Sequence, residues 1–186
     1  IIDSDRLGRV VSISAKRVGP YPPRVKNVGI IIDSAVHDID IISYLFNKYP
    51  TDIYAINGHT KDNEILLERV GLEDRVIIIM KFDYGKVGIV EANWLTPHKI
   101  RKLDIVGLDG VANLDYINQS ITVYTKEKVE EIKLTKEEPL LNELKHFIDC
   151  VKNKTEPLIT GNDGLIALKI ALAATESHKT NNIIRM

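Results

Sequence analysis

Hydrophobic and polar residues alternate over residues 9–18, which is the pattern of a strand with one buried face. Residues 19–24 then contain three prolines, which predicts an irregular loop. From Gly29 to Phe46 the apolar residues recur at helical spacing, and Asn47 with Pro50 ends the predicted helix. The chain therefore opens with a strand, a proline-rich loop and an amphipathic helix.

Strand-like segments follow this helix. Each of these segments is rich in β-branched or aromatic residues. The segments are residues 51–59, 75–83, 86–95, 100–108, 111–117 and 120–124. Turns at Tyr84-Gly85 and Asp109-Gly110 separate neighbouring segments, and Asp-Gly between two strands is a strong hairpin signal. Consecutive hairpins form an antiparallel sheet, so we expect a large, mostly antiparallel sheet of about six strands.

Two helices are predicted to end the chain. The pattern Thr135-x-x-Glu138, followed by proline, starts one that extends to about Lys152, and Thr160-x-x-Asp163 starts another that extends to about Lys179. Strands followed by helices predict a single α+β domain over residues 1–186, in which a large open sheet carries helices on one face.

The strands carry apolar side chains for both faces of this sheet. Examples are Ile77, Ile79, Val87, Ile89, Ile105 and Val106. An uncovered apolar face of this size is unfavourable in a monomer, because it leaves hydrophobic surface in water. We therefore expect a homo-oligomer, a dimer or a tetramer, that buries the open face.

The composition of the chain argues against several classes of function. Lys and Arg number 25 against 26 Asp and Glu, so no strong field attracts nucleic acid or an anionic membrane. The longest apolar runs, such as residues 76–80, are far shorter than the about 20 residues that span a bilayer. The single cysteine, Cys150, excludes an internal disulfide and a multi-cysteine zinc site, and it is typical of the core of a cytoplasmic protein.

The candidate chemistry lies on the first helix. At about 100° per residue, Asp33, His37, Asp40 and Tyr44 fall within roughly 60° of one another, and we call these four residues the polar stripe. Apolar residues gather on the opposite side of the helix: Ile31, Ile32, Ala35, Ile39, Ile42 and Phe46.

Three hypotheses explain the polar stripe. It is a solvated helix face with a local Asp–His pair, or a metal site, since Asp-x3-His-x2-Asp places three ligands on one face. The third is general acid–base catalysis by a histidine that a carboxylate orients. The sequence has no second His, Cys or Glu cluster at ligand spacing, which disfavours the metal, but spacing alone does not choose among the three.

Segments along the whole chain resemble one enzyme family. They are Ile1–Val11 (Ile-Ile-Asp-Ser-x3-Gly-x-Val); Asp33-x3-His37-x2-Asp40, preceded by Gly29; Pro139-Leu140-x2-Glu143-Leu144-x2-Phe147-Ile148; and Pro157-x5-Asp163-Gly164-x2-Ala167-Leu168-x4-Leu172-Ala173-Ala174-x2-Ser177. Together they are similar to the C-terminal domain of the glucose–fructose oxidoreductase / inositol dehydrogenase (Gfo/Idh/MocA) family.

This resemblance implies a function for the polar stripe. Members of the family bind NAD(P) with an N-terminal Rossmann domain, and a sugar, cyclitol or nucleotide sugar with a C-terminal α+β domain. His37 is implied as the general base on a substrate hydroxyl, with Asp33 beside the carbon that is oxidised. Asp40 is implied to bind a hydroxyl or to hold the histidine. The full-length protein is then expected to be an NAD(P)-dependent sugar dehydrogenase without a catalytic metal.

The sequence lacks two motifs that are typical of complete members of the family. No Gly-x-Gly-x-x-Gly follows a strand, and there is no Glu-Lys-Pro, the motif whose lysine usually completes the site. The opening Ile1-Ile2-Asp3-Ser4 lacks the features of a signal peptide and looks like the end of a helix. We therefore expect the domain that binds NAD or NADP upstream of residue 1, and we expect the fragment alone to be inactive.

The loop from Val18 to Arg24 resembles the subgroup that oxidises the 3-position of UDP-N-acetylglucosamine or its uronate. Tyr21 and Arg24 are expected to bind the substrate, because arginine offers a forked donor set for a carboxylate or diphosphate. Asn93 and Trp94 are expected to form another edge of the pocket. The alternatives are that Tyr21 and Trp94 pack in the core and that Arg24 is a solvated charge.

Two other functions stay open. One is a non-catalytic sugar-binding or dimerisation module of the same fold, and the other is a metal-dependent hydrolase that uses the polar stripe. The remaining histidines have no partner at useful spacing and are assigned no role: His59, His98, His146 and His178.

Overall fold

The structure, a computed structural model, describes residues 1–2, 5–25, 27–60 and 72–186. Its strands are β1 (Val10–Pro20), β2 (Asp52–Gly58), β3 (Arg75–Lys81), β4 (Val87–Asn93), β5 (Leu95–Gly107), β6 (Gly110–Asp115), β7 (Ser120–Thr125), β8 (Val129–Lys133) and β9 (Ile184–Arg185). Its helices are α1 (Val36–Phe46), which continues directly from a π-helical turn over Ile31–Ala35, α2 (Pro139–Asn153) and α3 (Gly161–Thr180).

Nine strands within these described ranges form one sheet, in the order β8-β7-β6-β5-β1-β4-β3-β2-β9. The neighbouring pairs are antiparallel except for β1 and β4, which run parallel. A parallel pair needs a crossover, and the chain supplies one through α1, β2 and β3 before β4 returns beside β1. The predicted α+β class with a large, mostly antiparallel sheet is confirmed.

The sheet has more strands than the sequence pattern predicts. Strand β8 was missed because charged residues fill three of its five positions, a composition typical of edge strands. Strand β9 is only two residues long and pairs with the start of β2. Strand β5 begins at Leu95 rather than at Ile100, so it follows β4 with only Trp94 between them.

The core lies between one face of the sheet and the helices α1 and α3. Side chains alternate between buried and exposed along β3, so Ile78 and its inward neighbours face the helices. Ile39 and Ile42 of α1 and Ile170 of α3 are fully buried against them. The predicted apolar side of the first helix is therefore confirmed as its buried side.

The other face of the sheet is open. Ile56, Ile77 and Ile79 are 58%, 51% and 43% exposed, and the register places them side by side on β2 and β3. Ile105 is buried instead, because the alternation along β5 turns it towards the helices. The expectation of an apolar surface away from the helices therefore holds for β2 and β3.

The two C-terminal helices differ in packing. Helix α3 begins with the predicted capping box of Thr160 and Asp163 and packs on β2 and α1. Helix α2 begins at Pro139 with Glu138 as its cap, rather than with Thr135, and it buries only Cys150. Its apolar residues are at least 49% exposed: Leu140, Leu141, Leu144, Phe147, Ile148 and Val151. No helix in the described part of the chain is both long and apolar enough to cross a membrane.

Candidate functional site

Glu73 caps the helix that carries the polar stripe. Its backbone oxygen accepts a hydrogen bond from Ile30 N–H at 3.1 Å, and its Oε1 accepts one from Ile31 N–H at 3.2 Å. The first N–H groups of a helix have no partner within the helix and favour a negative charge. Gly29 makes room for this carboxylate, since a Cβ at Gly29 would lie 2.0 Å from Glu73 Oε1.

Gly29→Ala is expected to lower the melting temperature, because the added methyl group displaces the Glu73 carboxylate from the helix start. Loss of an N-terminal cap typically costs about 1 kcal/mol, or about 3 °C in a domain of this size. The matched control is Gly164→Ala in α3, where an added Cβ meets no atom within 4 Å. Calorimetry that finds Gly29→Ala as stable as the wild-type protein would contradict this account of the cap.

The π-helical turn before α1 divides the polar stripe. A π-turn bonds i to i+5, so it holds one more residue than an α-turn and rotates Asp33 relative to the residues that follow. Asp33 lines one cavity, whereas Asp40 and Tyr44 line another, and His37 is exposed and lines neither. The four residues predicted to share one polar face are therefore not brought to one cavity.

The cavity beside Asp33 has a volume of about 240 Å³, and we call it the basic cavity. Its lining is Arg17, Val18, Gly19, Pro20, Pro22, Arg24, Asp33, Ser34, Asn93, Trp94, Lys99 and Arg101. Of the seven residues assigned a role from the sequence, the structure brings four together here: Arg24, Asp33, Asn93 and Trp94. Arg17, Lys99 and Arg101 were not predicted.

Asp33 is held at the wall of the basic cavity. Its side chain is 11% exposed and accepts a hydrogen bond from Ser34 Oγ at 2.8 Å. Arg24 Nη1 lies 3.5 Å from Asp33 Oδ1, but the Arg24 side chain is 77% exposed. Such an exposed ion pair is weak and exchangeable, so Arg24 is available to another anion.

Tyr21 and Trp94 pack on each other beneath the proline-rich loop. Their ring centroids are 5.5 Å apart in an edge-to-face arrangement, and Trp94 is 5% exposed. The Tyr21 hydroxyl donates a hydrogen bond to the Val25 carbonyl oxygen. Asn93 Oδ1 accepts one from Leu95 N–H at 3.1 Å. In this arrangement the two aromatic residues support the loop, and Trp94 offers the cavity only a small surface.

Arg17 and Asp38 form a buried ion pair that the sequence pattern did not reveal. Arg17 Nε and Nη2 donate to the two carboxylate oxygens of Asp38 at 2.7 and 2.9 Å, and the two side chains are only 16% and 3% exposed. The pair ties α1 to β1. Tyr116 lies close by, and burial, together with the Asp38 charge, raises the pKa of its hydroxyl to about 12. An arginine at an inward strand position is the signal that could have predicted a buried carboxylate partner.

The second cavity lies at the C-terminal end of α1 and has a volume of about 650 Å³. Asp40 and Tyr44 line it together with Tyr49 and Asp163, and the Tyr49 hydroxyl donates to Asp163 Oδ1 at 3.3 Å. Burial raises the pKa of Asp40, the nearby Asp163 carboxylate raises it further, and His37 opposes the rise. Asp40 is therefore easier to protonate than a free aspartic acid.

Two of the other histidines, His146 and His178, have structural partners. His146 Nε2 accepts a hydrogen bond from Leu158 N–H at 3.0 Å, and His178 Nδ1 accepts one from Asn57 N–H at 3.2 Å. No group of three or more His, Cys, Asp or Glu side chains that could hold a metal ion occurs among the described residues.

Comparison with known families identifies the chain. The model of the C-terminal alpha/beta domain of an oxidoreductase family, Gfo/Idh/MocA, matches residues 1–186. The chain belongs to the Gfo/Idh/MocA family. The resemblance that the sequence motifs indicated is thereby confirmed.

Two characterised members of the Gfo/Idh/MocA family show the extent of the similarity. The scyllo-inositol 2-dehydrogenase (NAD(+)) of Bacillus subtilis is 29% identical over 198 aligned residues, which take in 100% of this chain and 57% of that protein. The UDP-N-acetylglucosamine 3-dehydrogenase of Acidithiobacillus ferrooxidans is 22% identical over 170 residues, 86% of this chain and 52% of that protein. The chain therefore spans just over half the length of these relatives.

The fold of the Gfo/Idh/MocA C-terminal domain is also found by structural comparison. The solved structure of the Acidithiobacillus ferrooxidans UDP-N-acetylglucosamine 3-dehydrogenase superposes with a TM-score of 0.84 at 21% identity, over 96% of this chain and 57% of that one. At this identity the likeness establishes the architecture rather than the substrate.

Proposed function

We propose that this chain is the substrate-binding part of an NAD(P)-dependent oxidoreductase that oxidises a sugar hydroxyl to a ketone. The observation that carries the proposal is the position of the family motif. Asp33 is held by Ser34 and Arg24 at the wall of the basic cavity, and His37, four residues further along the same helix, is exposed. A histidine that is open to a ligand beside an anchored carboxylate is an arrangement suited to general acid–base catalysis.

Each site residue has a proposed task in this reaction. His37 takes the proton of the substrate hydroxyl, and Asp33 accepts a hydrogen bond from the hydroxyl or from the imidazole. Asp40 binds a further hydroxyl, at the edge of the second cavity. Arg24 and Asn93 donate hydrogen bonds to the substrate, while Tyr21 and Trp94 form the wall that positions the loop.

The described residues do not fit a dinucleotide. Dinucleotide phosphates bind where a glycine-rich loop opens the N-terminus of a helix. In this chain the N-terminus of the motif helix is already occupied by the Glu73 carboxylate, which repels phosphate. We therefore assign the binding of NAD or NADP to a separate domain.

The surface of α2 is the proposed contact with that domain. Its apolar side chains, such as Leu144, Phe147 and Val151, are 51%, 58% and 63% exposed. The relatives matched here extend well beyond the region that this chain covers, which leaves room for a dinucleotide-binding domain. We infer that such a domain, N-terminal to residue 1 in the full protein, covers α2.

The proposed substrate is a UDP-N-acetylhexosamine, oxidised at its 3-position, or the corresponding uronate. The resemblance of the loop from Val18 to Arg24 supports it, as does the relative that is a UDP-N-acetylglucosamine 3-dehydrogenase. A free cyclitol is the competing substrate, because the scyllo-inositol dehydrogenase has the higher identity, 29% against 22%.

The deciding experiment measures NADH formation by the full-length protein with UDP-N-acetylglucosamine, its uronate, N-acetylglucosamine and myo-inositol. Turnover of a UDP-sugar supports both the reaction and the substrate. Turnover of myo-inositol alone supports the reaction and refutes the UDP-sugar. Absence of turnover with the whole panel, in protein that binds NAD, favours a non-catalytic sugar-binding or dimerisation module of the same fold.

We also propose that two copies of the chain associate through the open face of the sheet. Ile56, Ile77 and Ile79 form an adjacent apolar group there, and burial of such a group in a dimer removes it from water. Light scattering after size-exclusion chromatography tests this, and a monomer at micromolar concentration would refute it.

A further inference from the structure

Like charges face each other where β1 and β5 pair. The antiparallel register places Arg17 opposite Arg101 and Lys16 opposite Lys102. Like charges directly opposite each other destabilise a sheet. Two such pairs in succession are therefore unfavourable for folding, and each positive charge needs a counter-charge.

Two of these four cations form ion pairs, and a third, Lys102, lies opposite the Asp115 carboxylate on β6. Lys16 Nζ lies 2.8 Å from Glu91 Oε2 on the open face, and Arg17 is neutralised by Asp38 on the other face. Arg101 forms no ion pair within the described ranges and lines the basic cavity. Arg101 is exposed, and burial of part of its side chain together with the neighbouring Arg17 lowers its pKa, whereas the Asp38 carboxylate opposes this shift.

Lys99 lies at the same cavity, packed against the backbone of β1. Gly19 of β1 contacts the Lys99 side chain, and a Cβ at Gly19 would be 3.2 Å from Lys99 Cγ. The stem of Lys99 therefore lies across the glycine and lines the basic cavity with Arg101. Because Lys99 is two residues before Arg101 on β5, both side chains extend from the same face of the strand.

The basic cavity has an excess of positive charge. Its lining contains four cations, which are Arg17, Arg24, Lys99 and Arg101. Two carboxylates oppose them, Asp33 in the lining and Asp38 next to Arg17, so the local net charge is +2. The whole chain has a formal net charge of −1, so this excess is local. A neutral polyol offers these cations no opposite charge.

We propose that Arg101, with Lys99 and Arg24, binds a carboxylate or phosphate group of the substrate, so that the site selects an anionic sugar over a neutral polyol. This inference rests on the function proposed above and names the residues that determine its specificity. The guanidinium of Arg101 supplies a planar fork of donors for two oxygens of the anion, and Lys99 and Arg24 supply further positive charge.

Isothermal titration calorimetry of the full-length protein tests the proposal without requiring turnover. The probes are N-acetylglucosamine, N-acetylglucosamine 1-phosphate, glucuronate and UDP-N-acetylglucosamine. Arg101→Gln is compared with Lys102→Gln, which removes the same charge from the adjacent residue of β5, on the opposite face of the sheet. Equal melting temperatures for the two variants establish that Arg101→Gln has not unfolded the protein.

At least one anionic probe is expected to bind more tightly than N-acetylglucosamine. Arg101→Gln is expected to weaken that binding by about 10- to 100-fold, the value of a hydrogen bond to a charged group, while Lys102→Gln changes it by less than about twofold. Tighter binding of glucuronate identifies a carboxylate subsite, and tighter binding of the 1-phosphate identifies a phosphate subsite. Added salt is expected to weaken both.

Equal binding of neutral and anionic probes, or equal losses in the two variants, would overturn the subsite. Turnover of a neutral sugar without binding of an anion would also overturn it, and the proposed dehydrogenase function would still stand. Anion binding that depends on Arg101, without NADH formation from any sugar, would support the subsite and refute the dehydrogenase.

Discussion

His37→Ala in the full-length protein is expected to lower kcat by about 10²–10⁴-fold, the usual contribution of a general base. The reason is that His37 is the exposed imidazole of the family motif, four residues after the anchored Asp33 on the same helix. Affinity for the dinucleotide is expected to stay within about twofold of the wild-type value, because a lost proton acceptor affects the transition state rather than cofactor binding.

The control for this variant is His98→Ala, which removes another exposed imidazole, on β5. Steady-state kinetics are measured for both, and added imidazole is expected to restore part of the activity of His37→Ala alone. Asp33→Asn is expected to lower kcat less than His37→Ala does, since it affects the orientation of the base. Near-normal turnover in His37→Ala would remove the histidine from the mechanism.

Asp38→Ala is expected to reduce the free energy of unfolding by about 3 kcal/mol, because it leaves the Arg17 guanidinium charged and without its partner in a mostly buried position. This loss of about 3 kcal/mol is at the lower end of the range for breaking a buried ion pair, because 16% of the Arg17 side chain is exposed to water. Urea denaturation measures the change, and an unchanged m-value shows that stability alone was altered.

The double variant Arg17→Met/Asp38→Leu provides the comparison for Asp38→Ala. Replacing both charges by apolar side chains removes the uncompensated charge, so the double variant is expected to be more stable than Asp38→Ala. The same pair holds α1 on β1, so the single variant is also expected to lower kcat through misplacement of His37. A double variant as unstable as Asp38→Ala would show that packing, rather than the buried charge, accounts for the loss.

The fold class could be predicted because each strand or helix has a short, regular pattern of hydrophobic and polar residues. Alternation along β3 and helical spacing in α1 each depend on residues within a few positions of one another, and both matched the structure. The short edge strands β8 and β9 could not be predicted in this way, since β8 is mostly charged and β9 exists only through its pairing with β2.

The candidate site was partly predictable. Asp33, Arg24, Asn93 and Trp94 were singled out from the sequence, and the fold brings them to one cavity. The polar stripe assumes an ideal helix, whereas Ile31–Ala35 form a π-turn and Asp33 lines a different cavity from Asp40 and Tyr44. A π-turn leaves no periodic pattern in the sequence from which it could be predicted.

By itself the sequence determined the α+β class, the buried side of α1 and the family motif, because each of these is encoded by residue types at short, regular spacing. Only the tertiary structure decided that Arg17 pairs with Asp38, that Glu73 caps the motif helix, and that Arg101 lines the basic cavity. The first two of these contacts join residues that are 21 and 42 positions apart in the sequence. They depend on strand register and on the position of α1 against the sheet, which many side chains set together.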